Sequence, residues 1–263
     1  MTLDFETIIY ELDKHVATIT LNRPDALNST NDQMYKELNY LIGEIAANPE
    51  VRCVILTGSG RGFCAGADVR GMDPNMKLLA RRARHRGILR NVLRPLFELE
   101  KPVIGAVNGV AVGAGFNIAL ACDFIVSSDK AMYSQIFTKM GLVPDLGGLY
   151  FLTRIVGVNK AKELCFTAKK ISAQEAYDLG IVNHVVPHDD LLAEARKIAE
   201  DIAAGPPVAL AMIKTLLNKS ADSTLDQMLE YEGYAQTLAY TTPDHAEGVA
   251  AFREKRAPEF GKE

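Results

Sequence analysis

The 263-residue chain is 48% apolar and 24% charged, enough to bury one large core and too apolar for a disordered chain. A formal net charge of −4 and a pI near 5.8 give no general attraction for polyphosphate, so nucleic acid is not expected as a partner. Cys53, Cys64, Cys122 and Cys165 are widely spaced with no C-x-x-C pair, which excludes a disulfide framework or zinc knuckle and fits a reducing cytoplasm.

The first residues carry neither a positive n-region nor an apolar h-region, so the chain is expected to stay where it is made. Residues 7–12 and the alternating 15–21 read as a hairpin-like β layer, closed by the turn signal Asn22-Arg23-Pro24-Asp25. Residues 31–47 place Met34, Leu38, Leu41, Ile42 and Ile45 at helical spacing, and 51–57 read as a buried strand running into Gly58-Ser59-Gly60. The spacing predicts a helix over 75–98 carrying Arg81, Arg82, Arg84, His85, Arg86, Arg90 and Arg94. A charge run of this kind usually forms a solvated face, and His85 reads as a surface residue within it; the competing reading sets some of these cations beside an anionic ligand tail.

A second unit repeats the grammar, with a strand at 103–107, a glycine-rich turn, a helix at 113–121 and a strand at 123–127. Strands alternating with helices predict an α/β fold with functional loops at strand ends. The uncharged stretch 102–122 is long enough to span a bilayer, but Asn108, Asn117 and four glycines interrupt it, so no membrane span is expected. Farther on, Ser172-Ala173-Gln174-Glu175 matches a capping box before a helix that Gly180 can end. The economical division is a catalytic core over 1–204 and a helical assembly region over 205–263.

Two loops carry candidate chemistry. Gly60-Arg61-Gly62-Phe63-Cys64-Ala65-Gly66-Ala67-Asp68 follows one strand, and Asn108-Gly109-Val110-Ala111-Val112-Gly113-Ala114-Gly115-Phe116-Asn117 follows another. Small residues at both let backbone N–H groups approach a developing anion.

These loops, together with Arg23-Pro24-Asp25-Ala26-Leu27-Asn28 and Lys101-Pro102-Val103-Ile104-Gly105-Ala106-Val107-Asn108-Gly109, resemble the signature blocks of the crotonase (enoyl-CoA hydratase/isomerase) superfamily. The resemblance extends to Ala251-Phe252-Arg253-Glu254-Lys255-Arg256. It implies a crotonase (ClpP-like) fold of repeated ββα units with a C-terminal helical region, assembled as a trimer or dimer of trimers. It also implies that the N–H groups of Ala67 and Ala114 hold the oxygen of an acyl-coenzyme A thioester. Coenzyme A would lie against Arg23, Ala26, Leu27, Ala65 and Asp68, with Phe252 and Lys255 contributing from the tail. No metal or cofactor beyond the substrate's coenzyme A is implied.

Hydratases of this superfamily carry two glutamates, and alignment of the blocks puts Asn117 and Phe137 at those positions; neither exchanges a proton at neutral pH. Both are expected to line the substrate pocket, although Asn117 equally suits local backbone satisfaction. The segment Gly141-Leu142-Val143-Pro144-Asp145-Leu146-Gly147-Gly148 resembles the branch of 1,2-epoxyphenylacetyl-CoA and Δ3,Δ2-enoyl-CoA isomerases, in which an aspartate moves the proton. Taken alone, Asp145 suits a helix N-cap; the resemblance makes it the catalytic candidate. Hydration, covalent chemistry with Asp145 as nucleophile in a hydrolase or dehalogenase, and thioester binding without catalysis stay open as alternatives.

Overall fold

The computed structural model describes residues 4–73 and 75–261. Strands β1 (Ile8–Asp13) and β2 (Val16–Leu21) form the expected antiparallel hairpin, and its two turn residues, Lys14 and His15, both take positive φ, the backbone that a tight two-residue hairpin requires. Helix α1 (Asp32–Ala47) is capped by the Asn31 side chain, and its five predicted apolar positions are all buried. β3 (Cys53–Gly58) and β4 (Gly62–Cys64) follow, then α2 (Leu78–Ile88) and α3 (Arg94–Glu98). The remaining core comprises β5 (Val103–Val107), β6 (Val110–Val112), α4 (Ala114–Leu120), β7 (Phe124–Ser128), β8 (Met132–Ser134), α5 (Gly148–Thr167), β9 (Ile171–Ser172), α6 (Ala173–Asp178), β10 (His184–Val186) and α7 (Leu191–Ala203).

The chain thus repeats a strand–strand–helix unit, and in the pairs β3/β4, β5/β6 and β7/β8 the two strands part company. The first joins a six-stranded sheet of order β1-β2-β3-β5-β7-β10, parallel except for the β1 edge, while the second joins a four-stranded sheet of order β4-β6-β8-β9. β3 and β5 are apolar along nearly their whole length because both of their faces are covered. One face packs against α1, α4 and α5. The other takes α7, whose Leu191, Ala195, Ala199 and Ala203 recur every fourth residue and bring the helix close to Ile55, Ile104 and Val126.

The helical expectation over 75–98 holds with one alteration. Leu89–Leu93 forms a wide π turn between α2 and α3. Pro95, which has no N–H to donate and crowds the carbonyl one turn back, sits at its exit. Before the turn α2 buries no residue; Val92 and Leu93 at its end and Leu96 after it enter the core. The capping box at Ser172 forms as expected, with Glu175 closing it.

Beyond residue 205 lie α8 (Pro207–Ser220), α9 (Leu225–Ala239) and α10 (Pro243–Glu254). Polar anchors attach them: Lys214, 7% exposed, reaches Asp123 Oδ2 at 2.8 Å and donates to the Lys101 carbonyl at 3.0 Å. Asn218 Nδ2 donates to the Phe97 carbonyl at 3.2 Å, and Arg52 donates to the carbonyls of Phe260 and Gly261 at 3.2 and 2.9 Å. No residue of α9 is buried. Among the described residues no helix is long and apolar enough to cross a membrane.

Candidate active site

The two glycine-rich loops are pressed together by pairing of β4 with β6. Gly66 has φ +93°, and a Cβ on it would lie 3.0 Å from the Val112 carbonyl oxygen and 3.6 Å from the Ala114 nitrogen; a Cβ on Gly115 would collide with the Cys64 carbonyl. Only glycine permits this apposition. Thr30 brackets the first loop, donating from its N–H to the Gly66 carbonyl at 2.8 Å and accepting from the Asp68 N–H at 2.9 Å. Between them, the Ala67 N–H makes no hydrogen bond among the described residues, and neither does the Ala114 N–H at the first position of α4. Two unspent donors therefore sit on adjoining loops, as stabilisation of a developing oxyanion demands. The Phe137 ring packs against Gly113, where a Cβ would meet it at 3.7 Å, and so walls the site beside Ala114.

Asp145 arrives on a tight segment in which Gly141, Leu146 and Gly147 all have positive φ. Leu146 is buried in the core and holds that conformation. The Asp145 carbonyl accepts from the Gly148 N–H and from Asn117 Nδ2, each at 2.8 Å, while Asn117 Oδ1 accepts from Gln135 Nε2 at 2.7 Å. Asn117 is 0% exposed with both ends of its amide engaged. It is thus no lining residue of the pocket; it fastens the backbone that carries Asp145, which corrects the expectation that it lines the cleft.

The side chain of Asp145 does not cap α5, whose N-cap position is Gly147 with no side-chain bond. Its Oδ1 is buried without a partner, and its Oδ2 lies 3.9 Å from His85 Nε2. Burial pushes the carboxyl above its ordinary range, opposed by the charge of His85. His85 is thus partly exposed, as its arginine-rich neighbourhood suggested, and it also lies beside Asp145. The sequence carried no signal pairing it with Asp145, because only the fold brings α2 over that segment.

A cleft of about 750 Å³ joins Ala67, Phe137, Asp145 and His85, with Tyr35 in one wall and Arg81, Arg82 and Arg84 along its rim. The Tyr35 hydroxyl lies 2.8 Å from Thr30 Oγ1, and its burial, opposed by that hydrogen bond, raises its pKa well beyond reach at neutral pH. Burial likewise pushes the thiols of Cys53, Cys64 and Cys122 up to about 12, so these cysteines are inert rather than nucleophilic. Among the described residues no group of three or more potential metal ligands occurs.

The segments expected to cradle coenzyme A adjoin. The Ala65 N–H donates to the Leu27 carbonyl at 2.9 Å, Ala26 lies in the short helical turn beside it, and Arg23 pairs with Asp68 at 2.8 Å. Asp68 also takes Arg70 at 3.0 Å, and these two guanidinium groups, Arg70 foremost, hold its carboxyl well below the usual range. Arg70 was not singled out by the sequence. Neither was Asn28, fully buried, which locks this turn by donating from Nδ2 to the carbonyls of Ser59 and Gly62 at 2.9 and 2.7 Å. Phe252 and Lys255 are not brought to this cradle within one chain. Phe252, 86% exposed, lines a separate groove with Pro206, His245 and Phe260, and Lys255 ends α10.

Residues 11–263 match the family model described as enoyl-CoA hydratase/isomerase. The chain is 38% identical over 257 residues to 1,2-epoxyphenylacetyl-CoA isomerase of Escherichia coli K12, covering 97% of this chain and 98% of that one. It is 41% identical over 256 residues to short-chain-enoyl-CoA hydratase of Clostridium acetobutylicum, covering 97% of each. The crystal structure of an enoyl-CoA hydratase from Bacillus anthracis superposes with a TM-score of 0.92 at 36% identity, covering 98% of this chain and all of that one. The split ββα units, the paired glycine loops and these similarities agree, and the chain belongs to the enoyl-CoA hydratase/isomerase family.

Proposed function

We propose that the protein acts on an acyl-coenzyme A thioester and shifts a proton, and with it a double bond, using Asp145 as the base. The carrying observation is the state of Asp145 among the aspartates of the cleft. Asp32 and Asp68 are taken by guanidinium groups and Asp73 by the Asn75 N–H, whereas Asp145 has one buried oxygen with no partner and a pKa raised by burial. Raising a carboxylate's pKa strengthens it as a base. In this reading the Ala67 and Ala114 N–H groups hold the thioester oxygen as it becomes an enolate, and Asp145 removes the proton from the carbon beside it.

Hydration fits less well. The two positions at which hydratases of the family carry glutamates hold Asn117, committed to the Asp145 carbonyl, and Phe137, a hydrocarbon wall. The reading requires no cofactor beyond the coenzyme A of the substrate. It includes self-assembly through the apolar side chains that α8 and α9 leave exposed, Leu217, Leu229, Tyr234 and Leu238 among them.

The test is NMR of wild type and Asp145→Asn with a cis-3-enoyl-CoA in deuterated buffer. Conversion to the trans-2 isomer, lost by about 10²–10⁴ in the variant, is the expected result. Water addition that survives in Asp145→Asn would overturn it, and an acyl or aryl adduct on Asp145 would move the reaction to the covalent class.

A further inference from the structure

We propose that His85 is a second catalytic group of the same site, an acid, so that the proton shift uses two groups side by side in the cleft, Asp145 to remove a proton from one carbon and His85 to deliver one to another. The inference rests on the Asp145 reading above and deepens it. Its basis is placement. His85 is the histidine that lines the cleft, half-exposed to it, with Nε2 3.9 Å from Asp145 Oδ2. That separation is too long for a hydrogen bond. It is also too short for another atom to lie between them, so the two groups sit side by side and can meet neighbouring carbons of one acyl chain from the same side.

The neighbouring charges are largely committed elsewhere. Arg84 on the same helix pairs with Asp32 of α1, and Arg81 donates to the Asp73 carbonyl. Asp145 is accordingly the one carboxylate within ion-pair reach of His85 among the described residues. The Asp145 backbone is fastened by Asn117 and Leu146 is sunk in the core, so the base is fixed while the acid rides on a helix that buries nothing. A rigid base and a more mobile acid suit a reaction whose two carbons lie at different points along the chain.

The steps balance. Ionised Asp145 takes the C2 proton; that C–H bond breaks and its electron pair enters the thioester, whose oxygen is held as an enolate by the Ala67 and Ala114 N–H groups. As the carbonyl re-forms, the C2–C3 double bond forms and the C3–C4 π electrons take the proton of the His85 imidazolium at C4. Asp145, now protonated, returns its proton to the imidazole directly or through one water, which restores both groups.

The experiment combines three readouts on the full chain: isomerisation of cis-3-hexenoyl-CoA, solvent-deuterium exchange at C2 of saturated hexanoyl-CoA, and a single turnover of C2-dideuterated cis-3-hexenoyl-CoA in ordinary water. The proteins are wild type, His85→Gln, His85→Ala with added imidazole, and Asp145→Asn. His85→Gln is expected to lose isomerisation by about 10²-fold while C2 exchange stays within about threefold. Imidazole is expected to restore part of the His85→Ala loss, and the wild-type single turnover to place no deuterium at C4. Full isomerisation by His85→Gln, or deuterium carried from C2 to C4 by wild type, would overturn the second acid and leave the Asp145 reading standing. Wild type that exchanges C2 without isomerising also overturns it. Absence of both exchange and isomerisation in wild type overturns the Asp145 reading and this inference together.

Discussion

The two-sheet core and the three C-terminal helices are held by different forces. In the core, β3 and β5 bury every apolar side chain they carry and α1 its inward apolar stripe, and the site loops are pressed to contact distance by glycines. In the helical region α9 buries nothing, Leu225, Tyr234 and Leu238 face outward, and attachment rests on Lys214, Asn218 and Arg52. Apolar burial over a large area fixes geometry to fractions of an ångström, whereas a few polar anchors fix only an orientation. The chemistry accordingly sits where packing over-determines the backbone.

The largest test of that contrast is Asp145→Asn, which should cost about 10²–10⁴ in kcat while the thermal midpoint at neutral pH stays at or above that of wild type. The sign follows from burial. A carboxyl whose pKa is raised in the folded state contributes stability that is complete below its unfolded pKa and lost as pH rises through the folded one. Removing the charge therefore helps most above the ordinary carboxylate range, and a pH series of thermal melts on both proteins checks it. Lys214→Ala should come next, costing about 3–5 kcal/mol by leaving Asp123 buried without its cation. Its denaturant midpoint and the protease sensitivity of residues 205–261 should change while the core resists.

Gly115→Ala should destabilise by about 1–3 kcal/mol through its clash with Cys64, and should lower kcat without changing the pH profile, because it parts the two N–H donors. Asn117→Ala removes one donor and one acceptor from buried partners; a loss of about 1–3 kcal/mol is expected, with activity falling along with it as the Asp145 segment loosens. The smallest effect on the single chain should be Tyr234→Lys, within about 0.5 kcal/mol in thermal stability. Light scattering should nevertheless show it disrupting any self-association through α9.

The sequence carried the fold well because its signals are local. Alternation in 15–21, the 3.6-residue period of 31–47 and the capping box at Ser172 all lie within one element, and their elements formed as expected. The glycines of the two loops were legible for the same reason. What remained hidden lies between elements distant in sequence. The Asn117 tether to the Asp145 carbonyl and the approach of His85 to Asp145 are set by how separate segments stack, and no periodicity encodes that. His85 is partly exposed as expected, but a charged helix can be solvated on one side and line a cleft on the other.

The wide turn at Leu89–Leu93 sets the rotational phase of everything before it. Each residue of an ordinary helix advances its side chain by roughly 100°, and one extra residue in that turn lets Val92 and Leu96 face the core while His85 faces the cleft. Deleting a single residue there would restore regular winding and swing the whole of α2 about its axis, carrying His85 and the rim arginines off the cleft with the sheets untouched. That single turn is a gear tooth: it decides which face of a freely exposed helix the cleft meets, and its loss or gain is the shortest route by which this scaffold could exchange one set of cleft-facing side chains for another.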